Sequence, residues 1–597
     1  PTTGGGPGGP RRGGGAKGPG YEDWTFWWNF NKDEIVQLKS AVKKLQAGSR
    51  SGSIAHKFGR NAQRGDEVKT ATDAAIQEKI VPALRTLLDD DDLNFDIQSA
   101  SAIALAKIGD ESIIEVLKRM SNNEKQGSGN YHKVVRESAG LAFGLLQKDS
   151  EDVRSFLIES IKNSDLDSSF VRPFSAISLG LLGDANDPDG AAMNALIDVV
   201  AGKEKKGEVK PAALVALGLL GNDSAVNDLL FMLENGKANR PNADELSDVE
   251  LAFVVQALGK IGEPGLDEAG KETAVLETVL KLTDAKKSNK ADKNVKRSAA
   301  IALGQLAAKC SAKQQGDIVK ALNGIVMEKK NDSSMRNFAA ISIGRIGATK
   351  GIEADTRKFA ISTLKVQMNK AKPKSICQPF AGIALGLIGR AIGQEGGDRA
   401  MMEEEIRKPL RDKFEETSAP RPKGAYAIAS GLVRDPLAVK SLIETLEEKG
   451  DNKLRGYCAV ALGLIGDENG RQAIKAALTT ETDRDLRVQT AVAAGLIGDA
   501  GVIKNLVQII ESKEESQYIL GSVALSLGQI GDENSIDPMV RIALDEGNDF
   551  PDLTRALATV ALGQIGDRRD VPVLSRLARD FNYRAHVPSL AELLTIL

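Results

Sequence analysis

Apolar residues recur at helical spacing along most of this chain, and one phrase keeps returning. Its clearest copies are LRGYCAVALGLIGDENGRQAIKAAL at 454–478 and LTRALATVALGQIGDRRDVPVLSRL at 553–577. VRPFSAISLGLLGD at 171–184 and LRVQTAVAAGLIGD at 486–499 repeat its first half. The first glycine of the phrase falls at 144, 180, 218, 259, 304, 344, 386, 431, 463, 495, 528 and 563, and Ala106 takes that place in the earliest copy. The spacings of 32–45 residues are those of a helical solenoid, in which each unit is a helix pair.

Each part of the phrase has a physical role. The apolar run before the first glycine has the period of a helix with one buried face. The second glycine (Gly466, Gly498, Gly531, Gly566) stands where that helix should end, because a residue at positive φ closes a helix C-terminus and glycine does so without a Cβ clash. The aspartate that follows (Asp467, Asp499, Asp532, Asp567) is placed to cap a second helix by accepting a backbone N–H bond. The first glycine lies inside a helix, where it costs roughly 1 kcal/mol against alanine. A loss repeated at every copy implies a neighbouring helix packed too close for a Cβ. Gln147, Ala307 and Arg434 replace the second glycine, so altered turns are expected there.

Eight positions before the first glycine a cation is common: arginine at 136, 172, 336, 455, 487 and 555, lysine at 210, 296 and 423. These residues make either a basic binding face or, the preferred reading, an inter-repeat ladder of Asp–Arg pairs. The phrase resembles the HEAT repeats first associated with phycobilin lyases, whose signature is VRxxAAxALGxIGD. The resemblance covers roughly residues 95–580. It implies an all-α, right-handed α-solenoid of about thirteen HEAT-like helix pairs. Such repeats serve scaffolds, adaptors, lyases and assembly factors alike, so the resemblance speaks to fold more than to function.

Around the repeats, residues 1–20 are a Gly/Pro-rich tether that cannot bury enough to fold. Residues 21–94 are expected to hold an aromatic N-terminal cap, first helices and a basic loop, 95–580 the repeats, and 581–597 a C-terminal capping segment. All three tryptophans (Trp24, Trp27, Trp28) lie together in a chain only 4% aromatic. They are expected to fold back on the first repeats as a cap. The alternative is an exposed anchor for a partner, since tryptophan clusters are frequent hot spots. The stretch 47–75 lacks a helical pattern and begins with Arg50, Lys57, Arg60 and Arg64, further candidates for partner contact. The segment from Tyr21 to Lys39 resembles the start of a group of exported bacterial HEAT-repeat proteins of unassigned function. The start at Pro1 permits a removed export signal without showing one, so the location is left open, with a periplasmic or extracellular one favoured slightly over a cytoplasmic one.

Composition narrows the function. With 79 basic and 82 acidic residues the net charge is -3, which argues against a nucleic-acid partner. No apolar run reaches transmembrane length. Cys310, Cys377 and Cys458 form no CxxC pair and read as packing thiols. There is no HExxH, GxxxxGK[ST] or GxSxG, and Asp89–Asp92 lacks ligand spacing. Deoxyhypusine hydroxylases, HEAT enzymes built on repeated His–Glu pairs, are excluded because no such pair occurs. No catalytic residue, metal or cofactor is therefore expected. The expected function is a non-catalytic scaffold binding protein partners. The alternatives are a structural subunit of a larger assembly, self-association included, and a lyase or chromophore chaperone.

Overall fold

The computed structural model describes residues 22–41, 69–125, 129–163, 171–187, 189–203, 208–262, 274–284, 291–369, 376–481, 483–497, 500–512, 517–585 and 587. Arg50, Lys57, Arg60 and Arg64 lie outside them. Among the described residues the fold is helical throughout, with only two isolated β-bridges, Thr70–Asp532 and Lys237–Glu245. The first helix is α1 (Trp24–Val36). The first helices of successive repeats are α2 (Phe95–Ile108), α3 (Lys133–Leu146), α4 (Val171–Leu182), α5 (Val209–Leu220), α6 (Asp248–Ile261), α7 (Lys293–Leu306), α8 (Ser333–Gly347), α9 (Cys377–Gln394), α10 (Pro420–Leu432), α11 (Asn452–Ile465), α12 (Arg484–Ile497), α13 (Gln517–Ile530) and α14 (Asp552–Gly566). Every position read from the phrase, from Ala106 to Gly563, falls inside one of these helices. A second helix follows each of α2 to α13, such as Glu468–Thr480 after α11. After α14 the described residues hold only the short helix Ser575–Ala578.

The punctuation works as the residues require. Gly466 and Gly531 close α11 and α13 at φ 76° and 74°. Asp467 then accepts the N–H groups of Asn469 and Gly470 and starts the next helix. Gly498 and Asp499 lie outside the described residues. Where the second glycine is missing, Gln147 and Arg434 still take the left-handed turn, at φ 57° and 48°. That conformation costs a non-glycine residue about 1–2 kcal/mol. Ala307 avoids it: at φ -55° it runs on into a short 3-10 turn, Ala307–Lys309. Gly566 also departs from expectation. It stays within α14, and Asp567 follows in an extended conformation.

The chain divides into two compact units. Unit 1 comprises residues 1–31, 149–384 and 574–597, and unit 2 comprises 32–148 and 385–573. In unit 1, α4 to α8 pack side by side in chain order. A Cβ on Gly180 would meet the Ala216 Cα at 2.7 Å, one on Gly218 the Ala257 Cα at 2.9 Å, and one on Gly344 the Ala384 Cα at 2.7 Å. The partner is each time the residue two places before the next helix's own phrase position. Backbones this close leave no room for a side chain, which explains the repeated intrahelical glycine.

Unit 2 follows the same rule with one extension. Gly431 meets Ala461, Gly463 meets Ala493 and Gly528 meets Ala561, all with Cα distances of 2.7–2.9 Å from the added Cβ. Gly563 of α14, the last repeat, then meets Ala104 of α2, the first, at 2.7 Å. Ala104 stands two places before Ala106, so the last and first repeats join by the contact that joins neighbours. Asn94 supports it by donating to Asp552 at 3.0 Å, across 458 residues of sequence. Gly495 is the exception: Leu38 and Ile530 side chains, not a helix backbone, are its nearest neighbours, at 3.2 and 3.3 Å.

The cation before each phrase corrects the expected Asp–Arg ladder. Arg172 donates to the Ile161 carbonyl at 2.9 Å, Arg336 to Val326 at 3.0 Å, Arg455 to Leu446 at 2.9 Å and Arg555 to Ala543 at 3.2 Å. These acceptors end the preceding repeat's second helix, where the last carbonyls lack intrahelical partners and carry the negative end of the helix dipole. The arginine is therefore a helix cap. Carboxylates assist in places, as Glu481 does for Arg455, and Asp552 is 3.9 Å from Arg555. Arg172 and Arg455 are buried, so these positions form no exposed basic face.

Candidate protein-interaction face

In unit 1 the repeats present one face of α4 to α8 to two segments of the same chain. The first is the start of α1. Trp24, Trp27 and Trp28 are each 2% exposed. The burial expected for a cap is present, but the location differs from the first repeats. The Asn337 side chain on α8 donates to the Glu22 carbonyl at 3.4 Å, and Arg345 of α8 donates to the Asn31 side chain at 2.9 Å. Phe26 and Phe30 stack on Tyr583, with ring centroids 6.3 and 5.5 Å apart. The aromatic cluster finds its apolar surface beside residues far along the sequence, which spacing alone could not show.

The second segment, residues 574–585, lies almost without helix along the same face and is held by polar side chains. Arg576 donates to the carbonyls of Leu181 and Leu219, at 2.8 and 3.4 Å, at the ends of α4 and α5. Lys260 at the end of α6 donates to the Arg576 carbonyl at 2.7 Å. The Asn582 backbone N–H donates to Gln256 at 2.9 Å, and its side chain donates to the Asn294 carbonyl and Ser298 hydroxyl at 3.1 and 3.0 Å. Asp580 pairs with Arg345 at 2.7 Å. The Phe581 ring tilts against Phe253, and Tyr583 meets Phe338 edge-on at 5.2 Å. Burial pushes the Tyr583 phenol far above its ordinary range.

These contacts follow the repeat. Leu181, Leu219 and Lys260 each stand one residue after the phrase glycine. The first two present helix-end carbonyls to Arg576, and Lys260 donates its ammonium. In unit 2 Arg569 uses the same positions, donating to the carbonyls of Lys107 and Leu145 at 2.6 and 2.9 Å. A guanidinium forks naturally across two such acceptors and favours the negative helix ends. Unit 2 also holds the continuation of α1: Arg390 donates to the Ile35 carbonyl, and Lys39 to those of Gln564 and Asp567, both at 2.7 Å.

Among the described residues no group of three or more His, Cys, Asp or Glu side chains is placed to hold a metal ion, and no helix is long and apolar enough to cross a membrane. Cys377 and Cys458 are buried thiols outside any disulfide, and burial pushes Cys458 up to about 12. Sequence reasoning missed Arg569, Arg576, Asn582 and Tyr583. The available signal was the failure of the second-helix pattern after Asp567, in a stretch rich in arginine and aromatics.

A family described as HEAT repeats matches residues 472–551. The chain is an all-α solenoid of HEAT-like helix pairs. Its fold is similar to that of the solved Kap95:Nup1 complex, at 13% identity and a TM-score of 0.41, covering 82% of this chain and 65% of that one. A Kap121p mutant matches at 14% identity and a TM-score of 0.36, over 79% of this chain and 53% of its own. The chain thus spans about half the length of the Kap121p chains it matches. Human deoxyhypusine hydroxylase in complex with glycerol matches at 14% identity and a TM-score of 0.21, over 54% of this chain and 96% of its own. No curated protein sequence matches the chain.

Proposed function

We propose that this protein is a non-catalytic scaffold that binds other proteins through its HEAT-repeat faces. The observation that carries the reading is the seating of residues 574–585 on α4 to α8. The face binds an extended stretch of polypeptide through repeated helix-end carbonyls, an amide-bearing row and aromatic side chains. Those are the elements of side-chain-specific recognition with main-chain anchoring. Trp24, Trp27 and Trp28 contribute to this reading as the buried support of the face. The basic stretch with Arg50, Lys57, Arg60 and Arg64 is a further candidate contact. The test is affinity capture from native cells followed by reconstitution with the purified candidate. A stoichiometric complex with a dissociation constant in the micromolar range or tighter is expected. A chain that reconstitutes with no captured protein, and only assembles with itself as concentration rises, would instead be a structural subunit.

A further inference from the structure

We infer that the face of α4 to α8 in unit 1 is a peptide-binding site for which residues 574–585 act as a displaceable internal ligand. The occupant it takes is an extended segment of a partner protein. That segment presents an arginine and, six residues on, an asparagine followed by an aromatic. This inference rests on the scaffold reading and names the partner chemistry.

Three observations support it. The internal segment is held chiefly by a few side chains. Arg576 bridges two helix ends, Asn582 makes three hydrogen bonds to α6 and α7, and Tyr583 lies among Phe26, Phe30 and Phe338. Recognition therefore resides in a short signature that another protein can carry. The fit is also incomplete. Gln256 is 3% and Asn337 1% exposed, and both touch the chain's own segments. Yet the Gln256 Nε2 and the Asn337 Oδ1 have no hydrogen-bond partner among the described residues. Buried polar groups are normally paired, so this face can satisfy a ligand better than it satisfies its own chain. Finally, the segment follows the last full repeat helix. It contributes only the short turn Ser575–Ala578 to the repeat pattern, so its departure leaves the glycine contacts of α4 to α8 in place.

The test uses the full chain with a protease site inserted after Asp570, and a labelled synthetic peptide of residues 574–587. After cutting, the labelled peptide should replace the internal segment. It should bind the cut chain at least a hundredfold more tightly than the uncut one. Arg576→Ala with Asn582→Ala in the peptide should weaken binding at least tenfold. Tryptophan emission should shift red when the segment leaves and recover when the peptide binds. If cutting unfolds the chain, the uncut Arg576→Ala, Asn582→Ala protein takes its place and should bind the wild-type peptide at least tenfold better than the parent. The inference is overturned if the peptide binds no better to either than to the parent, or if a scrambled peptide binds equally well. Concentration-dependent dimers that the peptide dissolves would also overturn it, by making a second copy the occupant. A chain that exchanges its segment but recruits no protein loses only the scaffold reading. One that recruits a protein while the peptide never exchanges loses only this inference.

Discussion

The two units use one packing rule for different ends. In unit 1, Gly180, Gly218, Gly259 and Gly344 each admit the backbone of the helix that follows in sequence. In unit 2, Gly563 does the same for a helix at the far end of the chain. A helix face that accepts the residue two places before a phrase position accepts any copy, near or distant. What differs is the entropy of bringing the partners together, which grows only slowly with the length of chain between them. A contact specified once per repeat is thereby reused to join the first and last repeats.

The sharpest way to break this equivalence is to fill both kinds of contact. Gly180→Val and Gly563→Val should each destabilise by about 3 kcal/mol, the upper range for overpacking, because a backbone stands in the way. Denaturant melts of the two variants should agree within error. A Gly563→Val protein that melts like the parent would show that the distant contact is not equivalent to the local one. Next in size are the arginine caps. Arg172→Met in unit 1 and Arg455→Met in unit 2 should each lose about 1.5–3 kcal/mol, the range for hydrogen bonds to a charged group. Arg455→Met should lose more, since Glu481 also loses its partner.

A smaller difference should appear with pH. Burial of Asp332 in unit 1 opposes its ionisation, but the Arg297 bridge and the Met335 N–H outweigh it and hold the carboxyl below its ordinary value. Its stabilisation is present above the unfolded pKa and is lost as pH falls through the lower folded value. Asp532 in unit 2 runs the other way. Burial outweighs the N–H bonds from Lys69 and Asn534 and raises its pKa. Its contribution is present below the unfolded pKa and is lost as pH rises through the folded value. Asp332→Asn should therefore lower stability at pH 7, and its effect should fade as pH drops below the ordinary carboxylate range. Asp532→Asn should gain, relative to the parent, as pH rises from the ordinary carboxylate range towards neutrality. Denaturation midpoints across that range check both signs, and parallel curves would refute the assignment. The smallest effect is on reactivity alone. In the folded protein a neutral thiol reagent should label half-exposed Cys310 and spare Cys377 and Cys458, which become reactive on unfolding. Equal labelling rates for all three thiols would contradict their burial.

Much of the repeat was legible because its signals are local. The LGxIGD phrase announces helix, turn and capped helix within a few residues, and the glycine inside the helix announces a close neighbour. The arginine before it was visible as a position, yet its role was misread. The nearest carboxylates in sequence suggested ion pairs, whereas the true acceptors are carbonyls at the end of the preceding helix. The tryptophans were correctly expected to be buried, but beside α8 and Tyr583 rather than the first repeats.

The sequence by itself determined the helices, their ends and the spacing at which their backbones meet, since each depends on side-chain period, on φ or on the lack of a Cβ. Only the tertiary structure decided which copies meet across the length of the chain. It also decided that residues 574–585 occupy a repeat face instead of completing a helix pair. Helix-end carbonyls belong to the backbone and look the same in every repeat. No residue type marks which of them Arg569 or Arg576 will find, and that choice is made by where the folded chain brings its last segment.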